Sequence, residues 1–366
     1  MDLGDEIDRW RKEIRTDGYP MSIGEWISLY ENEEIDIHPE FQRFYRWTET
    51  QKTKLIESIL LGIPIPPIFV SQRKDGVWDV VDGLQRLATI YQFIGILKDE
   101  NKKNVPPLIL EGTGYLPSLE GKKWNDPDDP DESLTPEQRL IVKRSKISTS
   151  IILRESDELA KFELFQRLNT GGSNLTPQEV RNCILVMVNP EMYRWLRKLA
   201  NYEPFQECIN LSENPLIEQY DMELALRFIV FSTIYTDELI NIGDVGVFLT
   251  NGMIRTANNK RFDYNAWELS FNSTFDLLAR TTGPDSFRKY SPERNKSIGG
   301  FVLSPFEVIA FGLGYNVTNP PNDKEVPALV KSLWENETYR QWSGSGMTAT
   351  RRLPKLIPLG RDLFNK

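Results

Sequence analysis

The sequence predicts an α+β domain followed by an all-helical domain, and three observations carry that prediction. Two apolar runs, Ile65–Val70 and Val77–Val81, flank Lys74-Asp75-Gly76, and an Asp-Gly pair between strand-like runs marks a hairpin. Thr176-Pro177-Gln178-Glu179 joins an N-cap, a proline at the first helical position and a glutamate at the third, which is a strong helix start. From there on, apolar residues recur at helical spacing to the end of the chain. The boundary falls near residue 173, giving domains over 1–173 and 174–366, in keeping with 366 residues at ~150 per domain.

Taken in order, Ile7, Trp10 and Ile14 stand at helical spacing over residues 5–17. Ser22-Ile23-Gly24-Glu25 reads as a capping box opening a second helix, with Ile23, Trp26, Ile27 and Tyr30 inward. The alternation Ile35-Asp36-Ile37 leads into Pro39-Glu40-Phe41-Gln42-Arg43-Phe44-Tyr45-Arg46-Trp47. Thr48-Glu49-Thr50-Gln51 is another capping box, and its helix carries Leu55, Ile56, Ile59 and Leu60 until Gly62 stops it. After the hairpin, Asp82-Gly83-Leu84-Gln85-Arg86 passes straight into an apolar helix from Leu87 to Leu97. Beyond Pro106-Pro107, Leu108–Leu110 and Tyr115–Leu119 read as strands. Asp126–Glu132, with five acids in seven residues, reads as a solvated or disordered loop. Arg139, Lys143, Arg144 and Lys146 then place four positive charges in eight residues. Ile147–Leu153 alternates as a strand, and Ser156 begins a helix through Leu159, Phe162, Phe165 and Leu168 that closes at Gly171-Gly172. Helices follow over 177–188, 190–200, 216–235, 264–281, 304–315 and 324–342.

Composition narrows the function. Hydrophobic residues at 40% and charged residues at 27% fit a folded globular chain rather than a disordered one. A net charge of −9 argues against a surface that is a nucleic-acid cradle throughout and leaves room for a local basic face. The single histidine, His38, removes His-pair zinc sites, HEXXH proteases and HNH-type nuclease chemistry. Cys183 and Cys208, the two cysteines, build neither a disulfide framework nor a thiolate cluster. Acids open the chain where a signal peptide needs positive charge, and no run is long and apolar enough to span a membrane. A cytoplasmic protein without a membrane partner is expected.

Three blocks can carry chemistry. Asp82-Gly83-Leu84-Gln85-Arg86 stands where a strand ends and a helix begins, so backbone N–H groups and the helix dipole favour an anion. Gly83 lets a ligand approach the backbone, Arg86 can grip a phosphate with its planar fork, Asp82 can hold a metal ion or orient water, and Gln85 can position either. The competing reading is a tight strand-to-helix turn with a surface salt bridge. Phe41-Gln42-Arg43-Phe44-Tyr45-Arg46-Trp47 can stack a base while its arginines hold phosphates, or it is an aromatic core edge with arginine stems on rings. Phe165-Gln166-Arg167-Leu168-Asn169-Thr170-Gly171-Gly172 reads, by itself, as a helix C-cap.

In this order, these blocks resemble the N-terminal domain family of GmrSD-type restriction endonucleases, related to the ParB/sulfiredoxin fold. The resemblance runs from about Ile23 to Ile184. It rests on Ile37-His38-Pro39-Glu40-Phe41-Gln42-Arg43 with Trp47, on the Leu55–Ile68 segment, on Asp82–Arg86 and on Phe165–Gly172. It implies a ParB/sulfiredoxin-like nucleotide-binding first domain in which Asp82, Gln85 and Arg86 act on the phosphates of a nucleoside triphosphate with Mg²⁺ at Asp82. Gly83, Gln42, Arg43, Arg167 and Asn169 would line the nucleotide. Leu84 stands where the family's DGQQR motif has its first glutamine, and a leucine cannot position water; its plain reading is a side chain turned into the core. The resemblance also implies an HNH-type nuclease domain behind the first, which a chain with no histidine after residue 38 does not supply. A partner nuclease is then expected.

Two functional readings follow. One is a Mg²⁺-dependent NTPase of a DNA-directed restriction or anti-phage defence system; the other is a DNA-binding or modification-sensing module that uses the same pocket without turnover. A DNA nickase built on the same arginine and aspartate is a third. DNA contacts are expected at Phe41, Arg46, Lys143 and Arg144, although the basic run 139–146 equally suits a charge partner for the acidic loop. The tail with Arg351, Arg352, Lys355, Arg361 and Lys366 suits a flexible phosphate-contacting arm or a solvated terminus. A second copy of the chain is a candidate partner for the helical half, as are DNA and other proteins.

Overall fold

The computed structural model describes residues 2–4, 16–37, 47–99, 101–153, 176–240, 242–344 and 346–365. The chain divides into two compact units, Met1–Asn174 and Leu175–Lys366.

The first unit is built on a mixed sheet. Its elements are β1 (Thr16–Ser22), α1 (Ile23–Glu31), β2 (Ile35–Asp36), α2 (Glu49–Leu61), β3 (Ile68–Gln72), β4 (Trp78–Asp82), α3 (Leu84–Ile94), α4 (Pro136–Arg144) and β5 (Lys146–Ile152). The strand order is β1-β5-β3-β4-β2. The β1·β5 and β3·β4 pairs are antiparallel, and β3·β5 and β2·β4 are parallel. This topology puts the end of β4 and the starts of β3 and β5 at one end of the sheet.

Local chemistry explains the helices. Ser22, Thr48 and Thr135 each close a capping box on the residue three places on, and Gly62 ends α2 at φ +71°. The core gathers Ile23, Trp26, Ile56, Ile68, Val70, Leu87, Ile90, Tyr91 and Phe93, all fully buried. The Tyr91 hydroxyl donates to the Trp26 carbonyl at 3.0 Å, and its ring stacks on Tyr30 at 4.3 Å. These contacts fix α3, and with it the turn that precedes α3.

Several expectations are corrected. Residues 16 and 17 belong to β1, not to a helix, because antiparallel pairing with β5 outweighs a sequence with no alternation of its own. Leu108–Leu110 and Tyr115–Leu119 form no strand. Leu108 and Leu110 are buried, but their N–H groups go to Gln92 and Lys122 carbonyls, and a 3₁₀ turn occupies Pro117–Leu119. The loop 105–120 is instead tied to α2, where Glu111 N–H donates to Thr53 and the Thr113 hydroxyl donates to Glu57. The acidic segment, by contrast, is the solvated loop that one of its two readings expects, and Lys123 pairs with Asp126 at 2.8 Å and Glu132 at 3.2 Å. The helices expected over 5–17 and from 156 fall, for residues 5–15 and 156–170, outside the described residues.

The second unit carries α5 (Pro177–Val188), α6 (Pro190–Ala200), α7 (Glu203–Ile209), α8 (Glu213–Ile217), α9 (Tyr220–Phe231), α10 (Thr236–Ile240), α11 (Val245–Asn258) and α12 (Tyr264–Thr281). Two strands follow, β6 (Arg288–Ser291) and β7 (Lys296–Phe301), then α13 (Leu303–Tyr315), α14 (Val326–Ser332), α15 (Glu337–Trp342) and α16 (Ala349–Leu363). The unit is therefore helical but not all-helical. Its hairpin was hidden because Arg288-Lys289-Tyr290-Ser291 and Lys296–Phe301 lack an apolar alternation. The expected helix 216–235 breaks at Gln219, whose φ of +60° separates α8 from α9. The expected helix 324–342 breaks at a 3₁₀ turn over Leu333–Glu335.

The tail is neither an arm nor a solvated terminus. Leu353, Leu356 and Ile357 are fully buried on α16, each worth roughly 1.5–3 kcal/mol of burial, and Pro354 and Pro358 sit inside the helix. Helices α13 and α16 meet backbone to backbone: a Cβ on Gly360 would stand 2.2 Å from the Val308 carbonyl oxygen, and one on Gly312 would stand 2.3 Å from that of Gly360. Three of the tail's cations are also engaged, while Arg351 is exposed and Lys366 lies outside the described residues. Arg352 forks onto Glu307 at 2.6 and 2.9 Å, Lys355 lies over the Trp342 ring, and Arg361 stacks on Tyr315 while donating to the Ser232 and Ile234 carbonyls. Glu307, with no exposure, belongs to a buried ladder of charge that runs Arg181, Glu223, Arg227, Glu307, Arg352.

Candidate functional site

Asp82 is the last residue of β4, and Gly83 is the N-cap of α3. Phe69 pairs with Asp82 while Val70 pairs with Val80, so Val81 is the extra residue of a β-bulge. A bulge at a strand end breaks the ladder and re-aims the next side chain. Gly83 then turns the chain at φ +100°, and a Cβ there would stand 2.3 Å from Ile68 Cδ1 and 3.1 Å from Arg86 Nη2. Both the backbone and the space require glycine.

Arg86 reaches back across the first turn of α3. Its Nη2 donates to Asp82 Oδ2 at 2.9 Å and to the Pro67 carbonyl at 3.0 Å. The Arg86 side chain is 13% exposed and that of Asp82 is 32% exposed, so the pair sits at the rim of the fold. Among the described residues, the buried Arg86 Nε finds no hydrogen-bond partner. Gly83 gives α3 no side-chain cap. An uncapped helix start and an unsatisfied guanidinium N–H therefore stand within one turn of each other, both donors and both suited to an anion.

Of the residues expected at the site, the structure brings Asp82, Gly83 and Arg86 into contact and holds Gln85, half-buried, in the same turn. Leu84 packs partly buried against the core of the first unit. Lys143 and Arg144 are exposed on the last turn of α4, next to the start of β5 at the end of the sheet where β4 finishes. Arg139 of the same basic run is spent on the acidic loop's flanks, donating to Asn125 Oδ1 at 2.9 Å and the Leu134 carbonyl at 2.8 Å. His38, Phe41, Gln42, Arg43, Arg46, Arg167 and Asn169 lie outside the described residues.

Sequence reasoning missed the Pro67 carbonyl and Ile68. Their signal is Pro64-Ile65-Pro66-Pro67, a stretch that must run extended into β3 and so presents carbonyls with few competing donors. The neighbouring carboxylates are otherwise engaged: Asp36 and Asp79, side by side in the β2·β4 register, share Arg73 at 3.5 and 3.6 Å.

Other chemistries find little support. Cys183 and Cys208 are buried, and burial pushes both thiols up, Cys208 to about 12, which suits no nucleophile. Among the described residues, no group of three or more His, Cys, Asp and Glu is placed to hold a metal ion. No helix among them is long and apolar enough to cross a membrane.

With this geometry in place, residues 23–186 match the family described as GmrSD restriction endonuclease, N-terminal domain. That part of the chain is similar to GmrSD N-terminal domains; the match opens at the first residue of α1 and closes within α5. No curated protein and no solved structure matched the chain.

Proposed function

We propose that the turn from Asp82 to Arg86 binds the phosphates of a nucleoside triphosphate and hydrolyses it, as one component of a DNA-directed restriction or defence system. The observation that carries this reading is the buried Arg86 Nε without a partner among the described residues, next to an uncapped helix start. A phosphate oxygen would satisfy both donors. Asp82 keeps the guanidinium in place, and in this reading Gln85, half-buried in the same turn, orients a water against the terminal phosphate. The donor set fits Mg²⁺ held mainly by phosphate oxygens and water with Asp82 as its one protein carboxylate, and the ion supplies charge neutralisation. Gln42, Arg43, Arg167 and Asn169 complete the nucleotide pocket in this reading, with Phe41, Arg46, Lys143 and Arg144 toward DNA. The five-stranded sheet is then a ParB/sulfiredoxin-like variant, the protein acts in the cytoplasm, and cutting falls to a partner nuclease.

A second reading, binding without turnover, is favoured by Leu84, which packs on the core where an amide would face the nucleotide. Phosphate release from each NTP with Mg²⁺, with and without DNA, separates the two. The first reading expects release by the wild type and its loss in Asp82→Ala. Tight NTP binding with no release under any condition selects the second, and neither binding nor release removes both.

A further inference from the structure

The β6–β7 hairpin lies outside the family-matched residues, and the chemistry of the first unit does not use it. In an acidic chain it is a local concentration of positive charge: Arg288, Lys289, Arg294 and Lys296 against one acid, Glu293. Its stem is anchored, because Phe287 is fully buried, Phe301 packs on Phe287 and Phe306, and Val302 N–H donates to the Phe287 carbonyl at 3.0 Å.

The two faces of the ribbon differ. Tyr290 opposes Ser297 in the register, and Lys331 of α14 lies over the Tyr290 ring at 5.3 Å, so this face rests on the helical body. Lys289 opposes Ile298 and Ser291 opposes Lys296, which puts Lys289 and Lys296 together on the other face. Both are exposed, as is Arg294 at the tip, and no carboxylate among the described residues pairs with any of the three. Arg288 differs, being held by Asp285 at 3.1 Å and the Gly299 carbonyl at 2.7 Å. Beside these cations, Gly299 and Gly300 are exposed, and a Cβ on either would meet nothing within 4 Å. They are the unpaired residues of a bulge, since Arg288 pairs with Phe301 and Lys289 with Ile298, and Gly299 has φ +74°. The bulge leaves this stretch of backbone bare beside the cations.

We infer that the β6–β7 hairpin is a DNA-docking ribbon that presents Lys289, Arg294 and Lys296 to the phosphates of a duplex. An anchored two-stranded ribbon with one free cationic face has the width that the major groove admits. Its cations are flexible point charges and a tip arginine rather than an ordered pocket, which suits backbone contact over base readout. The inference rests on the DNA-directed reading above and gives it a surface in the second unit.

The test is fluorescence anisotropy of a labelled mixed-sequence DNA duplex with the full chain across a range of NaCl concentrations. The triple variant Lys289→Ala, Arg294→Ala, Lys296→Ala should bind at least ~10-fold more weakly, with the slope of log K against log salt lower by about 0.9 per lost contact. Lys289→Arg with Lys296→Arg should bind as the wild type does, and all variants should keep the wild-type unfolding midpoint and basal phosphate release. Equal affinity and slope in the triple variant would overturn the hairpin's role and leave the nucleotide site standing. Absence of duplex binding by the wild type would remove the inference together with the DNA-directed reading. Wild-type binding to phosphatidylserine vesicles but not duplex, lost in the triple variant, would overturn it in favour of a membrane partner.

Discussion

A methyl group at position 83 would meet Ile68 Cδ1 at 2.3 Å on a backbone already at φ +100°, so Gly83→Ala should cost about 1–3 kcal/mol in urea unfolding. A cost below about 0.5 kcal/mol would show that the turn relaxes freely. At this scale the sequence was most legible where the chemistry is local. Ser22, Thr48 and Thr176 cap helices as their neighbours three places on require, and Leu84 lies against the core as its side chain suggests. What escaped was contact across distance. The sequence suits Arg86 to a phosphate fork, yet one of its nitrogens is committed to Pro67, nineteen positions earlier, and nothing near Arg86 in sequence announces that partner.

The elements of the second unit hold together through buried charge as well as apolar faces. Arg181 on α5, Glu223 and Arg227 on α9, Glu307 on α13 and Arg352 on α16 form one ladder, with three guanidiniums against two carboxylates. Glu307→Gln leaves one carboxylate among three buried cations and should destabilise by about 3–5 kcal/mol, measured by chemical denaturation. A loss under about 1 kcal/mol would mean water reaches the ladder. Gly360→Ala forces a Cβ onto the Val308 carbonyl and should cost about 1–3 kcal/mol by the same measurement. Elements were legible where periodicity was clean: α5, α6 and α12 fall at the residues expected. They were missed where another signal masked them. Thr135-Pro136-Glu137-Gln138 carries the same helix start as Thr176-Pro177-Gln178-Glu179, but the basic residues behind it mask the helical period with charge. Pro354 and Pro358 concealed α16, and β1 and the β6–β7 hairpin exist through pairing that no single strand encodes.

For the whole molecule, stability should fall in alkali. Burial pushes the Cys208 thiol and the Tyr220 and Tyr339 phenols up to about 12, against about 8.5 and 10 in an unfolded chain. Between those values the folded protein keeps protons that the unfolded chain releases. This contribution is therefore complete below about pH 8 and is lost as pH rises through 9 to 12. Denaturation midpoints that stay level over that range would contradict it. The single histidine and the family match bear on function at this scale: the motifs legible in the first half fall within the match to GmrSD N-terminal domains over 23–186, while the second unit's basic ribbon emerges only once its strands are paired. The central claim is that Arg86 receives a phosphate, and the most direct measurement is equilibrium binding of each Mg-NTP to wild type and to Arg86→Lys. A lysine keeps the charge and loses the fork that reaches Asp82 and the ligand together, so binding should weaken by about 10–100-fold with the fold intact. Equal affinity in the two proteins would contradict a phosphate site at this turn.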